Sequence, residues 1–196
     1  MSISYDEVID RVQGLIVAAT GTQTFPRSDL DFAVETSIAW HSRLKPRRAV
    51  QIGTGDGATH FVTLEDQDLI RVRRVEYPYG TVPPSYLDGS DWELHQGTSS
   101  LEIVFMTAPG SGDLFGIHYS GMWGTATLTS NALMPLCYLS CAHLSMRQAA
   151  TFGEAFDDGV MQASSVNYGS KARDWLQIKD HFAGLYAATY GMTRNQ

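Results

Sequence analysis

The sequence predicts an α+β fold: a four-helix body with an antiparallel β insertion between helices 2 and 3. Three observations predict it. Apolar residues recur at helical spacing near both ends of the chain, at residues 1–48 and 129–196. Between them, residues 49–128 alternate with a period of two. Helices at both ends close into one body only if the strands leave it as an excursion, so the whole reads as one structural unit. A chain of 196 residues is long enough to bury a core without metal or disulfide help.

Each element has a local signal. Ser4 and Glu7 make an S-x-x-E capping box, with Ile3 and Val8 at the staple positions. Val8, Val12, Leu15, Ile16 and Ala19 then give the first helix one apolar face, and Gly21 stops it. The second helix is expected to start near Ser28, which with Asp31 forms another capping pair. Leu30, Ala33, Val34, Ser37, Trp40, His41 and Leu44 make its stripe, and Pro46 ends it. Six strands are expected, at Val50–Ile52, Thr59–Leu64, Ile70–Tyr77, Trp92–His95, Leu101–Met106 and Phe115–Ser120. In the third, alternation slips at Arg74, which signals a bulge or a strand end. Pro109 to Gly112 reads as a hairpin turn between the last two strands. A third helix is expected from Asn131 to Ala150 with Pro135 near its first turn, then a loop from Gly153 to Gly159. The fourth covers Val166 to Tyr190, with Ala172, Trp175, Ile178, Phe182, Leu185, Tyr186 and Thr189 in its stripe.

Composition excludes several function classes. With 43% apolar and 18% charged residues the chain is not a disordered one. No apolar run reaches the ~18 residues of a membrane span, and the polar N-terminus MSISYDEVID does not read as a secretory signal. A net charge of -7 gives no overall attraction for nucleic acid. Cys137 and Cys141 are four apart, which suits small core residues and neither a local disulfide nor a CxxC site; a reducing compartment follows.

Chemistry is sought and not found. None of the six histidines lies in H-E-x-x-H or at ligand spacing, and there is no G-x-S-x-G elbow. Gly53-Thr-Gly-Asp-Gly57 lacks the third spaced glycine of a dinucleotide fold and the Gly-Lys-Ser/Thr ending of a P-loop. It reads as a tight strand-to-strand turn. Acids such as Glu65, Asp66 and Asp68, or Asp88, Asp91 and Glu93, sit at strand ends and turns, where acids are common for backbone reasons. No catalytic residue, metal ligand or cofactor is therefore expected. Two basic groups stand out: Arg43, Lys45, Arg47 and Arg48 at the helix-to-strand junction, and Arg71, Arg73 and Arg74 on a strand. Their plain reading is helix-end cations and a solvated strand face; pairing with acids of a neighbouring subunit is the alternative use.

Three stretches together resemble one family. They are the helix pair ending in Trp40-His-Ser-Arg-Leu-Lys-Pro46; Leu69-Ile-Arg-Val-Arg-Arg-Val-Glu-Tyr-Pro78 with Pro83-Pro84, Asp91-Trp92 and Leu101-Glu-Ile-Val-Phe-Met-Thr-Ala-Pro109; and Asn167-Tyr-Gly-Ser-Lys-Ala-Arg-Asp-Trp175 with Phe182 to Tyr186. This layout resembles the head-to-tail adaptor (connector) proteins of tailed bacteriophages. The resemblance implies a structural subunit of the virion neck, assembled in the host cytoplasm. Such a subunit forms a homo-oligomeric ring, usually a dodecamer, that docks under the portal protein. It extends the channel through which DNA passes without sequence-specific binding, and presents a platform to the next neck or tail protein. It implies neither a membrane role nor a cofactor. The family's C-terminal helix or tail reaches the portal, which here means Tyr186, Tyr190, Met192 and Arg194. Arg71, Arg73, Arg74, Tyr79, Val82, Tyr86 and Trp123 are the expected subunit-interface residues. Net acidity agrees, since basic channel walls would grip DNA phosphates. Two alternatives stand beside it: another virion assembly subunit (a stopper, tail completion or minor capsid protein), or an enzyme with a cryptic hydrolase site.

Overall fold

The computed structural model describes residues 3–21, 24–66, 68–97, 100–124, 127–157 and 168–191. The chain is α+β, with the strands between the second and third helices. It divides into two compact units, Met1–His41 with Gly124–Gln196, and Ser42–Trp123.

The first unit is helical. Helix α1 (Tyr5–Thr20) is capped as expected: the Ser4 hydroxyl accepts the Glu7 N–H, and Ile3, at the staple position, is buried. Helix α2 (Arg27–Leu44) starts one residue earlier than expected. The Pro26 carbonyl takes the Asp29 and Leu30 N–H groups, so Ser28 lies inside the first turn and caps nothing. Asp31 instead receives Arg27 Nε at 2.9 Å. Helix α3 (Ser130–Asp157) runs through Gly153, where a loop was expected. A helical glycine costs ~1 kcal/mol relative to alanine, but Phe152 in this last stretch is held beneath Lys171 Nζ, 5.6 Å from its ring. Pro135 sits one turn in, so a single intrahelical hydrogen bond is lost there. Helix α4 (Tyr168–Thr189) closes the set.

Side chains specify how these helices meet. The Cys137 and Cys141 thiols lie 3.9 and 3.8 Å from the carbonyls of Val8 and Val12, so two small residues let α3 approach α1 closely. Tyr138 stacks on Phe182 between α3 and α4. Arg147 spans from α3 to α2, pairing with Asp29 at 3.2 Å over the ring of Phe32. Two members of the expected α2 stripe, Trp40 and Leu44, are instead about half exposed; Ile38, outside that stripe, is buried. Turning Ile38 inward places His41 at 2 % exposure, facing α4.

The second unit holds six strands in two antiparallel sheets: β1 (Arg47–Thr54), β2 (Phe61–Thr63), β3 (Leu69–Glu76), β4 (Trp92–Gln96), β5 (Leu101–Phe105) and β6 (Leu114–Gly121). One sheet has the order β1-β6-β3, the other β2-β5-β4. Leu64, Val75, Ile103, Phe105, Phe115 and Ile117 from both sheets form one buried cluster, with Phe105 edge-on to Phe115 at 5.3 Å. The slip in β3 is a bulge: its register against β6 shifts between Val72 and Arg74, leaving Arg73 as the extra residue.

One turn expectation is corrected. Residues 109–112 do not close a hairpin, because β5 and β6 belong to different sheets. Residues 53–57 likewise lead from one sheet to the other, from β1 towards β2. The two crossings instead pair with each other, Gly55 N–H to Asp113, Gly57 N–H to Pro109 and Gly112 N–H to Gly55. A Cβ at Gly55 would strike the Gly110 and Pro109 backbone, so glycine is required by close approach.

Candidate functional site

Sheet register assembles the candidate site from residues far apart in sequence. On the outer face of the β1-β6-β3 sheet, Arg48 and Arg71 both stand opposite Ser120, and Arg74 stands opposite His118. The bulge throws Arg73 onto the same face, where its Nε donates to Ser120 Oγ at 2.7 Å. Arg48, Arg71, Arg73 and Arg74 thus line one groove of about 730 Å³, floored by Val50 and His118. Arg71, Arg73 and Arg74 are exposed, as is Arg48. Among the described residues none of the four is ion-paired. Partial desolvation and then the like charges of Arg48, Arg71 and Arg74 press the Arg73 guanidinium below its ordinary value.

Arg47 takes the other direction. Alternation along β1 turns it inward, where it pairs with the Asp66 carboxylate and reaches the Met122 carbonyl. Strand period thus splits Arg47 from Arg48 and joins Arg48 to the β3 arginines.

The groove has an ordered rim. Arg74 lies over the ring of Tyr86, 4.0 Å from its centroid, and Tyr86 meets His118 edge-on at 5.9 Å. His118 Nε2 is 2.9 Å from the Glu76 carboxylate, which also accepts the Gly80 N–H at 2.9 Å. The Gly80 hydrogen bond, then His118, hold the Glu76 carboxyl below the usual carboxylate range. The Tyr79 ring packs against Gly116, where a Cβ would collide with it. These contacts fasten the segment after β3 to the sheet and leave Val82 at its tip 96 % exposed.

The other expected site residues lie elsewhere. The Trp123 indole donates to the Lys45 carbonyl at 2.7 Å, and its own N–H to Ser42 Oγ. Tyr186 is buried, and its hydroxyl meets His41 Nδ1 at 3.1 Å within the helical unit. Tyr190 is half-buried against the same histidine. Met192 and Arg194 fall outside the described residues.

No protein-family model matches the chain, and no curated protein matches it in sequence. Solved structures do match. A chain in the neck of an empty gene transfer agent particle, computed with C6 symmetry, is 14% identical at a TM-score of 0.36, covering 89% of each chain. One from the neck of the native particle, computed with C12 symmetry, is 13% identical at 0.32, covering 74% of this chain and 80% of that one. One from the whole virion is 12% identical at 0.35, covering 90% and 88%. At such identity and overlap these likenesses assign neither fold nor role.

Chemically, the groove suits an anion. It offers four guanidinium groups, each able to take a carboxylate in bidentate fashion. Among the described residues no group of three or more His, Cys, Asp or Glu is placed to hold a metal ion. The one histidine–carboxylate pair in the groove, His118 with Glu76, clips a loop to the sheet. Sequence reading missed that pair because its members are 42 residues apart; only the β3–β6 register joins them.

Proposed function

We propose that this chain is a structural, non-enzymatic subunit of a phage-like neck, an adaptor whose ring docks under a portal, extends the DNA channel and carries a platform for the tail. The observation that carries this reading is the arginine-lined sheet face: four cations, exposed and without acidic partners among the described residues, on a two-sheet framework. A chain of net charge -7 that sets four of its fourteen lysines and arginines on one sheet face offers that face to a negatively charged neighbour. The Val82 loop adds an exposed apolar tip beside that face, and interfaces combine such elements. The sequence layout that resembles head-to-tail adaptors supports the specific role. In this reading the chain end beyond Tyr190, including Met192 and Arg194, reaches the portal, and many repeated contacts around a closed ring supply the affinity.

Mixing the purified chain with purified portal protein tests the proposal. Electron microscopy is expected to show a ring of this chain seated on the portal. A chain that stays monomeric with portal and is captured by tail or capsid protein would identify another assembly subunit. Turnover of a small substrate, abolished by one point change, would end the structural reading altogether.

A further inference from the structure

Building on the proposed ring, we infer that the arginine groove receives the acidic turn at Asp88, Asp91 and Glu93 of a second copy of this chain, making a head-to-tail contact. The two surfaces are complementary in charge, and among the described residues neither is ion-paired. Asp88, Asp91 and Glu93 are exposed, and among the described residues none is ion-paired. The Asp91 carboxylate accepts the Asp88 N–H at 3.1 Å, which holds the two acids of the turn together.

Within the β unit the Arg71 end of the groove stands away from the turn. The acidic turn opens β4, where Trp92 pairs with Phe105; Phe105 packs on Phe115 at the start of β6. Arg71 pairs with Ser120 near the other end of β6. Five residues of strand separate these levels, about 17 Å. The groove also lies on the outer face of one sheet, whereas β4 is an edge of the other. Within one copy no ion pair among the described residues joins the acidic turn to the arginines, although Asp88 stands close in sequence to the Tyr86 ring that Arg74 covers. Between copies turn and groove form a heterologous contact, which repeats from subunit to subunit and closes when the rotation allows.

The groove's size and surroundings favour a protein segment over a lone ion or a nucleic acid. Its 730 Å³ accommodates a turn, and Val50 gives it an apolar patch that a phosphate backbone would not use. The chain's net charge of -7 repels DNA but leaves a local acid–arginine contact intact.

Two charge-reversed full-length variants test this, R71E/R74E and D91K/E93K, compared with wild type by sedimentation velocity over a concentration series at low and high salt. Wild type is expected to self-associate, less so in high salt. Each variant alone should associate on the order of a hundredfold more weakly. An equimolar mixture should regain assembly, since each groove then meets a turn of opposite charge; misfolded proteins would not rescue each other. A wild type that stays monomeric throughout overturns the contact, while the portal experiment still decides the neck role. Variants that assemble as wild type, or a mixture without rescue, overturn the groove assignment and leave the ring standing. Duplex DNA bound by wild type and lost in R71E/R74E, without self-association, overturns it in favour of nucleic acid.

Discussion

Buried polar atoms make the sharpest predictions at the scale of single residues. Burial pushes the Cys137 thiol up to about 12 and raises Cys141 as well, so both are protonated and shielded at neutral pH. A thiol-selective reagent at pH 8 is expected to label neither in the folded protein and both after denaturation, read by mass spectrometry. Burial also pushes the Tyr186 phenol up to about 12, so a neutral hydroxyl faces His41. Tyr186→Phe removes that partner from a histidine at 2 % exposure. It should cost ~1–2 kcal/mol of stability, measured by denaturant unfolding. Glu76 has a sign that can be worked out. Its folded pKa lies below its unfolded one, so its contribution is complete above the ordinary carboxylate range and disappears as pH falls through the lower, folded value. Glu76→Gln should therefore lower the melting temperature by a few degrees at pH 7 and by progressively less as the medium is acidified. An equal loss at every pH would mean that the carboxylate's charge plays no part.

Among the elements, the strand-to-strand crossings are the parts whose chemistry least resembles their sequence signal. Gly55 is flanked by turn residues, yet its hydrogen bonds go to Asp113 and Gly112 in the other crossing. Gly55→Ala pushes a methyl group into the Gly110 carbonyl, which cannot rotate away. It is expected to destabilise the β unit by more than the ~1 kcal/mol that a freely accommodated glycine-to-alanine change would return. Phe105→Ala opens a cavity between the two sheets and leaves Phe115 without its edge-on partner, at a cost of about 3–5 kcal/mol. Thermal unfolding of the two variants checks both figures. The helices behave differently. Period and capping placed α1 to its first turn, because a cap is a contact three residues long. They misplaced the start of α2, where Pro26 supplies the carbonyl that Ser28 seemed set to replace. They also ended α3 early, because the grip of Lys171 on Phe152 joins residues 19 apart.

For the whole molecule, charge distribution matters more than net charge. The chain is acidic, yet four arginines share one sheet face, where partial desolvation and then the charges of the other three hold Arg73 below its ordinary value. Reversing Arg71 and Arg74 should change the melting temperature of the isolated chain by no more than a few degrees, since relief of like-charge repulsion offsets the lost contact of Arg74 with the Tyr86 ring and no ion pair among the described residues is broken. A marked loss of stability would show that these arginines serve the fold instead of a neighbour. The fold class and all six strands were legible in the sequence, since alternation, apolar spacing and glycine or proline punctuation act over a few residues. The candidate site was legible only in part: Arg71, Arg73 and Arg74 stood out as a group, but Arg48 was grouped with its neighbour Arg47. Sequence by itself determined which segments are helix or strand and which residues carry charge, because propensity and periodicity are local. Tertiary structure alone decided that β5 and β6 part into different sheets, that Arg48 joins the β3 arginines while Arg47 turns to Asp66, and that Tyr186 faces inward. Those outcomes depend on register and on burial against distant residues, and a single strand or helix carries no record of which partner it will meet.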